Sequence, residues 1–328
     1  MKIKNNSEKI STLNNFDINS EKKIKLEKEK SLKYLKEAKY LQKKIVTKPF
    51  LYKLSKFVFG NYISMIGSTR TLPDFIGCAS SRSGSTSIYE GLLEHPNIFA
   101  SKIKEIHFFD GNFHRGENWY RYHFPSKLKK LINEKIFKKK FVTGEATPNY
   151  LIHPHAARRI QRICPEVKLI LILRNPIDRA YSHYNSAVKN KREKLSFEDT
   201  IKEEKNRVRG EMEKMEDDED SSTSETYIRK SYFLQGLYYN DLSKWMKIFP
   251  RKQFLIINNE EFFKDPTKNF NEIYEFLGLP QFNYKYVHYN LGKYPPMKDE
   301  TRRLLIEYYK PYNEKLYKLV GKSFDWDK

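Results

Sequence analysis

The chain is 328 residues long with 62 Lys and Arg against 41 Asp and Glu, a formal charge of +21; 39 % of it is hydrophobic and 15 % aromatic. That apolar share excludes wholesale disorder, and no apolar run approaches the ~18 residues of a membrane-spanning helix. Cys78 and Cys164 are too few for a disulfide framework, and no Cys/His spacing reads as a metal site. Both cysteines are expected reduced and buried, with a single bridge as the alternative. The positive charge suits nucleic acid, an anionic membrane surface, or anionic substrates and cofactors, and does not choose among them.

The first residues, MKIKNNSEKIS, are charged with no apolar stretch behind them, so a cleaved signal peptide is not expected and the cytoplasm is the simplest compartment. Residues 1–20 read as disordered and 21–46 as a charged helix. Phe50, Leu51, Leu54, Phe57 and Val58 then share one face of a short basic helix, either docked on the main domain or lying on a membrane. Residues 1–60 are thus a basic N-terminal arm.

From Asp74 on, strands alternate with helices. FIGC (75–78) predicts a strand and 85–93 a helix; FVTGE (141–145) a strand and 154–163 a helix. KLILIL (168–173) predicts a buried parallel strand leading into a helix over 176–189. QFLIIN (253–258) is another strand, a helix near 266–277 ends at Gly278, and a last helix spans 298–319. Residues 211–225, acidic and without aromatics, read as a solvated loop. The fold class is α/β: a single P-loop-like domain, a central parallel sheet flanked by helices, preceded by the helical or disordered arm.

FIGCASSRSGSTSI (75–88) runs from a buried strand through a Ser/Gly turn into a helix. A helix's first turn leaves N–H groups unpaired with partial positive charge, a natural phosphate seat. Gly84 admits an anion close to the backbone, Ser83, Ser85 and Thr86 add donors, and Arg82 adds a charged planar fork. The Gly-Lys-Ser/Thr ending of a Walker A loop is missing, which disfavours an ordinary ATPase or GTPase. A plain N-capped helix is the bland alternative.

The loop resembles the 5′-phosphosulfate loop of the sulfotransferase superfamily. KEIHFFD (104–110), GEATPNYL (144–151), LRNPIDRAYSHY (173–184), FLQGLYYNDLSKWMKIFP (233–250) and GKYPPMKDETRRLL (292–305) match in the same order. The likeness covers about residues 73–321 and is nearest to the carbohydrate branch typified by heparan-sulfate sulfotransferases. It implies a transferase that moves the sulfuryl group of 3′-phosphoadenosine-5′-phosphosulfate (PAPS) to a hydroxyl or amine, with a glycan as the best-matched acceptor, a lipid or small secondary metabolite as alternatives, and neither metal nor nucleic acid required. Arg174 and Ser182 match the residues that hold the 3′-phosphate, and Gly292 and Lys293 match a late loop that folds over the cofactor. Glu105 matches the base, with His107 as rival base or orienting partner. An extended 104–108 segment would place Glu105 and His107 on one face and Ile106 and Phe108 on the other. Aromatic neighbours would raise the Glu105 pKa.

Alternative pairings are Arg174 with Asp178 or Glu145, and Glu105 with Lys102 or Lys104. Arg179 reads as structural. NWYRYHF (118–124) is assigned either to the acceptor side or to the core. Two further readings stand beside the leading one. A kinase-like phosphotransferase would need a metal carboxylate, to which Asp178 and Glu145 fit poorly. A basic scaffold would bind an anionic surface through residues 1–60.

Overall fold

The strand-forming runs pair into one five-stranded parallel sheet in the computed structural model, which describes residues 60–219, 223–283 and 294–326. Ile63–Lys328 form one compact unit. The expected arm lies outside the described residues, Gly60 apart. In chain order the strands are β1 (Phe75–Ala79), β2 (Ile98–Ala100), β3 (Val142–Ala146), β4 (Lys168–Leu173) and β5 (Phe254–Asn258), arranged β2-β3-β1-β4-β5. β1 lies at the centre, with Gly77 beside Ala146 of β3 and Ile170 of β4.

The alternation within β1 and β4 shows why the apolar runs are continuous. Ile76, Cys78, Leu169, Leu171 and Leu173 join one core cluster, while Phe75, Ala79, Ile170 and Ile172 join another. Each strand feeds cores on both faces, so neither face can be polar. Both cysteines are free and buried, as expected.

The helices used below are α1 (Ser85–Leu92), α2 (Phe108–Gly111), α3 (Glu117–Arg121), α4 (Lys127–Leu131), α5 (Ala156–Ile163), α6 (Pro176–Lys189) and α7 (Phe197–Arg207). α8 (Glu211–Asp217), α9 (Glu225–Lys230), α10 (Tyr238–Met246), α11 (Asn259–Lys264), α12 (Pro266–Leu277) and α13 (Asp299–Val320) follow. α6 opens as a helix should: Asn175 accepts from the Ile177 N–H and Pro176 takes the first position. α12 ends on Gly278 at φ 70, the left-handed cap expected of it.

The structure adds helices that the sequence reading did not name, α7 and α10 among them, and it departs from that reading at β2 and at the acidic stretch. β2 is too short and too mixed to announce itself; it exists because β3 pairs with it, Ala100 beside Gly144. The acidic stretch is helical over Glu211–Asp217, where a loop was expected. Met212 and Met215, three residues apart, turn to Val208, Tyr227 and Ile152, and the buried Met215 holds the turn in place despite its charged neighbours.

Candidate active site

At the C-terminal end of β1 the chain turns through residues 80–84 into α1. β1 has β3 on one side and β4 on the other, so this turn lies at a topological switch point, where open α/β sheets bind ligands. The Ser83 N–H donates to the Ser80 carbonyl (3.2 Å), and the Ser80 hydroxyl donates to the Gln235 carbonyl (2.9 Å). Arg82 and Gly84 adopt left-handed backbone, φ 72 and 84. A Cβ on Gly84 would come within 2.4 Å of Asn259 Nδ2, which itself donates to the Ser83 carbonyl at 2.8 Å. Gly84 has no side chain to cap α1, so the N–H groups of Ser85 and Thr86 face outward without one. The Ser83 hydroxyl is buried without a hydrogen bond of normal geometry, its neighbour Tyr238 donating instead to the Arg174 carbonyl at 2.9 Å. The uncapped start of α1 and the buried Ser83 hydroxyl beside it fit an anionic group such as the phosphosulfate of PAPS.

Arg174 follows the last residue of β4, and Ser182 is buried on α6. Arg82 Nε donates to Ser182 Oγ at 3.3 Å, and Arg174 Nη1 donates to the Arg82 carbonyl at 3.1 Å. Three residues expected at the two ends of one nucleotide are therefore neighbours, with the Arg82 fork turned toward Ser182. The alternative partners of Arg174 are engaged elsewhere. Asp178 pairs with Arg302, and Glu145 lies buried beneath the hydroxyls of Tyr120 (2.7 Å), Thr147 (2.7 Å) and Tyr150 (3.0 Å). Arg179 is wholly buried and donates to the carbonyls of Ser81 and Tyr232, a structural role as read.

The 104–110 segment is not extended. Glu105 and His107 sit in left-handed backbone, φ 56 and 51, and α2 starts at Phe108. Ile106 and Phe108 are nevertheless buried while Glu105 and His107 stay half exposed, so the expected division of faces survives by a different backbone route. The Phe108 N–H donates to the Tyr150 hydroxyl (3.0 Å), whose proton goes to Glu145. That buried carboxylate therefore anchors the turn that carries Glu105 and His107. Left-handed backbone at a non-glycine residue is strained, and among the described residues three of the six cases are Arg82, Glu105 and His107.

Two charged residues complete the site that sequence reasoning left outside it. Lys104 Nζ reaches the Thr86 hydroxyl and lies 3.4 Å from Glu105 Oε1, so it joins the first turn of α1 to the carboxylate. Asp110, nearly fully buried, holds His107 Nδ1 at 2.9 Å through Oδ2. Its i+3 spacing from His107 was the one available signal, and it has meaning only once α2 is known to be helical. Asp110 and then Glu105 push the His107 pKa up to about 10, so the imidazole is charged at neutral pH. The expected rise in the Glu105 pKa is corrected: His107, 3.7 Å away, and then Lys104 lower it, outweighing partial burial. Glu105 is thus an ionised acceptor, while a charged His107 has no lone pair free to take a proton.

NWYRYHF is divided. Tyr120 and Phe124 enter the core, whereas Lys102 Nζ sits 3.3 Å from the Tyr122 ring centroid and Arg115 lies over Trp119. Gly292 and Lys293 lie outside the described residues.

The profile of a family described as "Sulfotransferase domain" matches residues 72–303. Mouse heparan sulfate glucosamine 3-O-sulfotransferase 3B1 is 30 % identical over 292 residues, which cover 81 % of this chain and 68 % of that relative. The membrane-associated sulfotransferase kil1 of Dictyostelium discoideum is 28 % identical, over 80 % of this chain and 68 % of its own length. This chain therefore spans about two thirds of the length of both. Among solved structures, a sulfotransferase from Alicyclobacillus acidocaldarius superposes with a TM-score of 0.60 at 26 % identity, covering 79 % of this chain and all of that one.

Proposed function

The chain belongs to the sulfotransferase family and is an enzyme whose sulfuryl donor is PAPS, and on that premise we propose that it sulfates a hydroxyl or amine of a carbohydrate acceptor, with Glu105 as base. The observation that carries this reading is one run of contacts around the loop. On one side are Ser182, Arg82 and Arg174; on the other are Thr86, Lys104, Glu105, His107 and Asp110. An uncapped helix start and a carboxylate that its neighbours keep ionised then share one edge of the sheet.

When bound, PAPS supplies an activated sulfuryl group on the oxygen that bridges sulfur to the 5′-phosphate. The N–H groups of Gly84, Ser85 and Thr86 and the Ser83 hydroxyl, with Arg82 and Lys104, would hold the negative charge at that end. Arg174 and Ser182, with Gly292 and Lys293, hold the 3′-phosphate. Glu105 accepts the proton of the acceptor hydroxyl or amine, and charged His107, steadied by Asp110, orients the acceptor and keeps Glu105 ionised. Most of the acceleration comes from positioning and fixed charge, as in phosphoryl transfer.

The glycan acceptor rests on the heparan sulfate relatives. The kinase-like alternative is not favoured: of its candidate metal carboxylates, Asp178 is paired and Glu145 is sealed. No helix among the described residues is long and apolar enough to cross a membrane. The proposed location is the cytoplasm, with membrane contact through the basic arm and no nucleic-acid partner; subcellular fractionation tests it.

Calorimetric titration of the full chain with adenosine 3′,5′-bisphosphate and with ATP tests the nucleotide site. Binding of the first and not the second is expected, and the reverse order would overturn the site assignment. Radiolabelled sulfuryl transfer to heparan-type polysaccharides tests the acceptor class. Labelling of a lipid or phenolic acceptor instead would overturn the carbohydrate reading alone.

A further inference from the structure

The opposite edge of the sheet carries a surface that sulfuryl transfer does not use. Between Phe124 and β3 the chain runs KLKKLINEKIFKKK, residues 127–140, with seven lysines against Glu134 alone. It folds as α4 followed by a wide π turn at Ile132–Ile136. Leu128, Leu131, Ile132 and Ile136 recur at i, i+3, i+4 and i+8, the spacing of one helix face. Yet Leu128, Leu131, Ile136 and the adjoining Phe137 are 63, 52, 69 and 60 % exposed. Four bare large apolar side chains within ten residues, ringed by lysines, are more than the scattered exposure normal for a surface.

The segment is held in shape. The Ser126 hydroxyl caps α4 by accepting the Lys129 N–H at 3.1 Å. Lys130 pairs with Asp74 at 3.1 Å, Lys127 donates to the Ser68 carbonyl at 2.8 Å, and the Lys139 N–H donates to the Asn133 carbonyl at 3.0 Å. Phe141 then stacks on Phe99, ring centres 4.1 Å apart, and leads into β3. Residues 127–140 thus stand at the N-terminal edge of the parallel strands, and the loop at 80–86 lies at the C-terminal edge.

We propose that residues 127–140 are a docking surface for an anionic lipid bilayer. Charge and apolarity together select that occupant. Lysines are compact, strongly hydrated cations suited to lipid phosphates and carboxylates, and the apolar face gains by leaving water for the headgroup–acyl boundary. A polysaccharide or nucleic acid would use the charge and leave Leu128, Leu131, Ile136 and Phe137 wet. A second copy of this chain would set the same lysines against each other. Docking by this edge leaves the catalytic edge facing away from the bilayer and open to its acceptor. The proposal is independent of the acceptor assigned above.

The test is sedimentation of the full chain with phosphatidylcholine vesicles, with and without about 30 % phosphatidylserine. The chain is expected to bind the anionic vesicles more tightly, with a loss on added salt. Leu131→Ser with Phe137→Ser is expected to weaken that binding roughly tenfold or more, while the thermal midpoint and adenosine 3′,5′-bisphosphate affinity stay at the parent value. Phe137→Trp, which keeps an aromatic side chain, should show a blue-shifted emission, relative to the parent chain, on mixing with the same vesicles. The proposal is overturned if the parent chain ignores anionic vesicles, or if the double variant binds them as well as the parent. It is overturned equally if the substitutions change the oligomeric state and not vesicle binding, or if the indole introduced by Phe137→Trp keeps the emission of a water-exposed one.

Discussion

The proposed nucleotide loop, residues 80–86, and the proposed acceptor-side turn, residues 104–110, both hold non-glycine residues in left-handed backbone, yet they are stabilised differently. The loop is held by hydrogen bonds to backbone carbonyls, Ser80 to that of Gln235, Asn259 to that of Ser83, Arg179 to that of Ser81 and Arg174 to that of Arg82, with Gly84 where no side chain fits. The turn is held by charge, with Lys104, Glu105, His107 and Asp110 linked in sequence above the buried Glu145 network. The anion seat should therefore be indifferent to pH across the range in which the turn titrates. That contrast is open to attack by substitution.

The largest effect is expected at Glu105. Glu105→Gln should lower kcat about a thousandfold while leaving adenosine 3′,5′-bisphosphate affinity intact; equal losses in both would mean that the two regions do not divide the labour. Arg174→Ala removes a charge-assisted contact and should weaken that nucleotide roughly tenfold to a hundredfold by calorimetry. A loss in kcat alone would place Arg174 on the other side of the division. Gly84→Ala must place a Cβ against Asn259 in left-handed backbone, and should cost about 1–2 kcal/mol in a denaturant titration. An unchanged midpoint would show that the loop relaxes freely.

The smallest effects concern pH. Asp110 is the leading cause of the raised His107 pKa, so Asp110→Asn should move the alkaline fall in kcat to lower pH by about one unit or more. A profile that stays in place would remove His107 from the mechanism. The folded His107 pKa of about 10 lies above its ordinary 6.5, so this pairing contributes its full stability below about pH 6.5 and loses it as pH climbs toward 10. Glu105, lowered, contributes above its ordinary 4.5 and loses that as pH falls through its folded value. Thermal melts across this range should show the alkaline loss in the parent chain and a smaller one in His107→Gln.

Much of the site was legible in the chain itself because strand, loop and helix follow one another locally. α6 and α12 begin and end where proline, asparagine and glycine place them, and the loop's serines and glycine stand where a helix start needs them. Glu105 was legible as a candidate base, but not its ionisation. Its pKa depends on His107, whose own charge depends on Asp110 in a helical turn that an extended reading hid. Lys104 looked like an incidental surface cation until α1 brought Thr86 beside it.

Local patterning thus carried the element order, the parallel sheet and the residue types able to grip a nucleotide, since hydrophobic period and capping chemistry act over a few residues. The assembled fold chose the neighbours: Ser182 for Arg82, sealed hydroxyls for Glu145, an acidic stretch made helical by two methionines, and four apolar side chains left facing water. Those outcomes turn on contacts between residues far apart in the chain or on which face of a helix finds a partner, and neither is encoded in spacing.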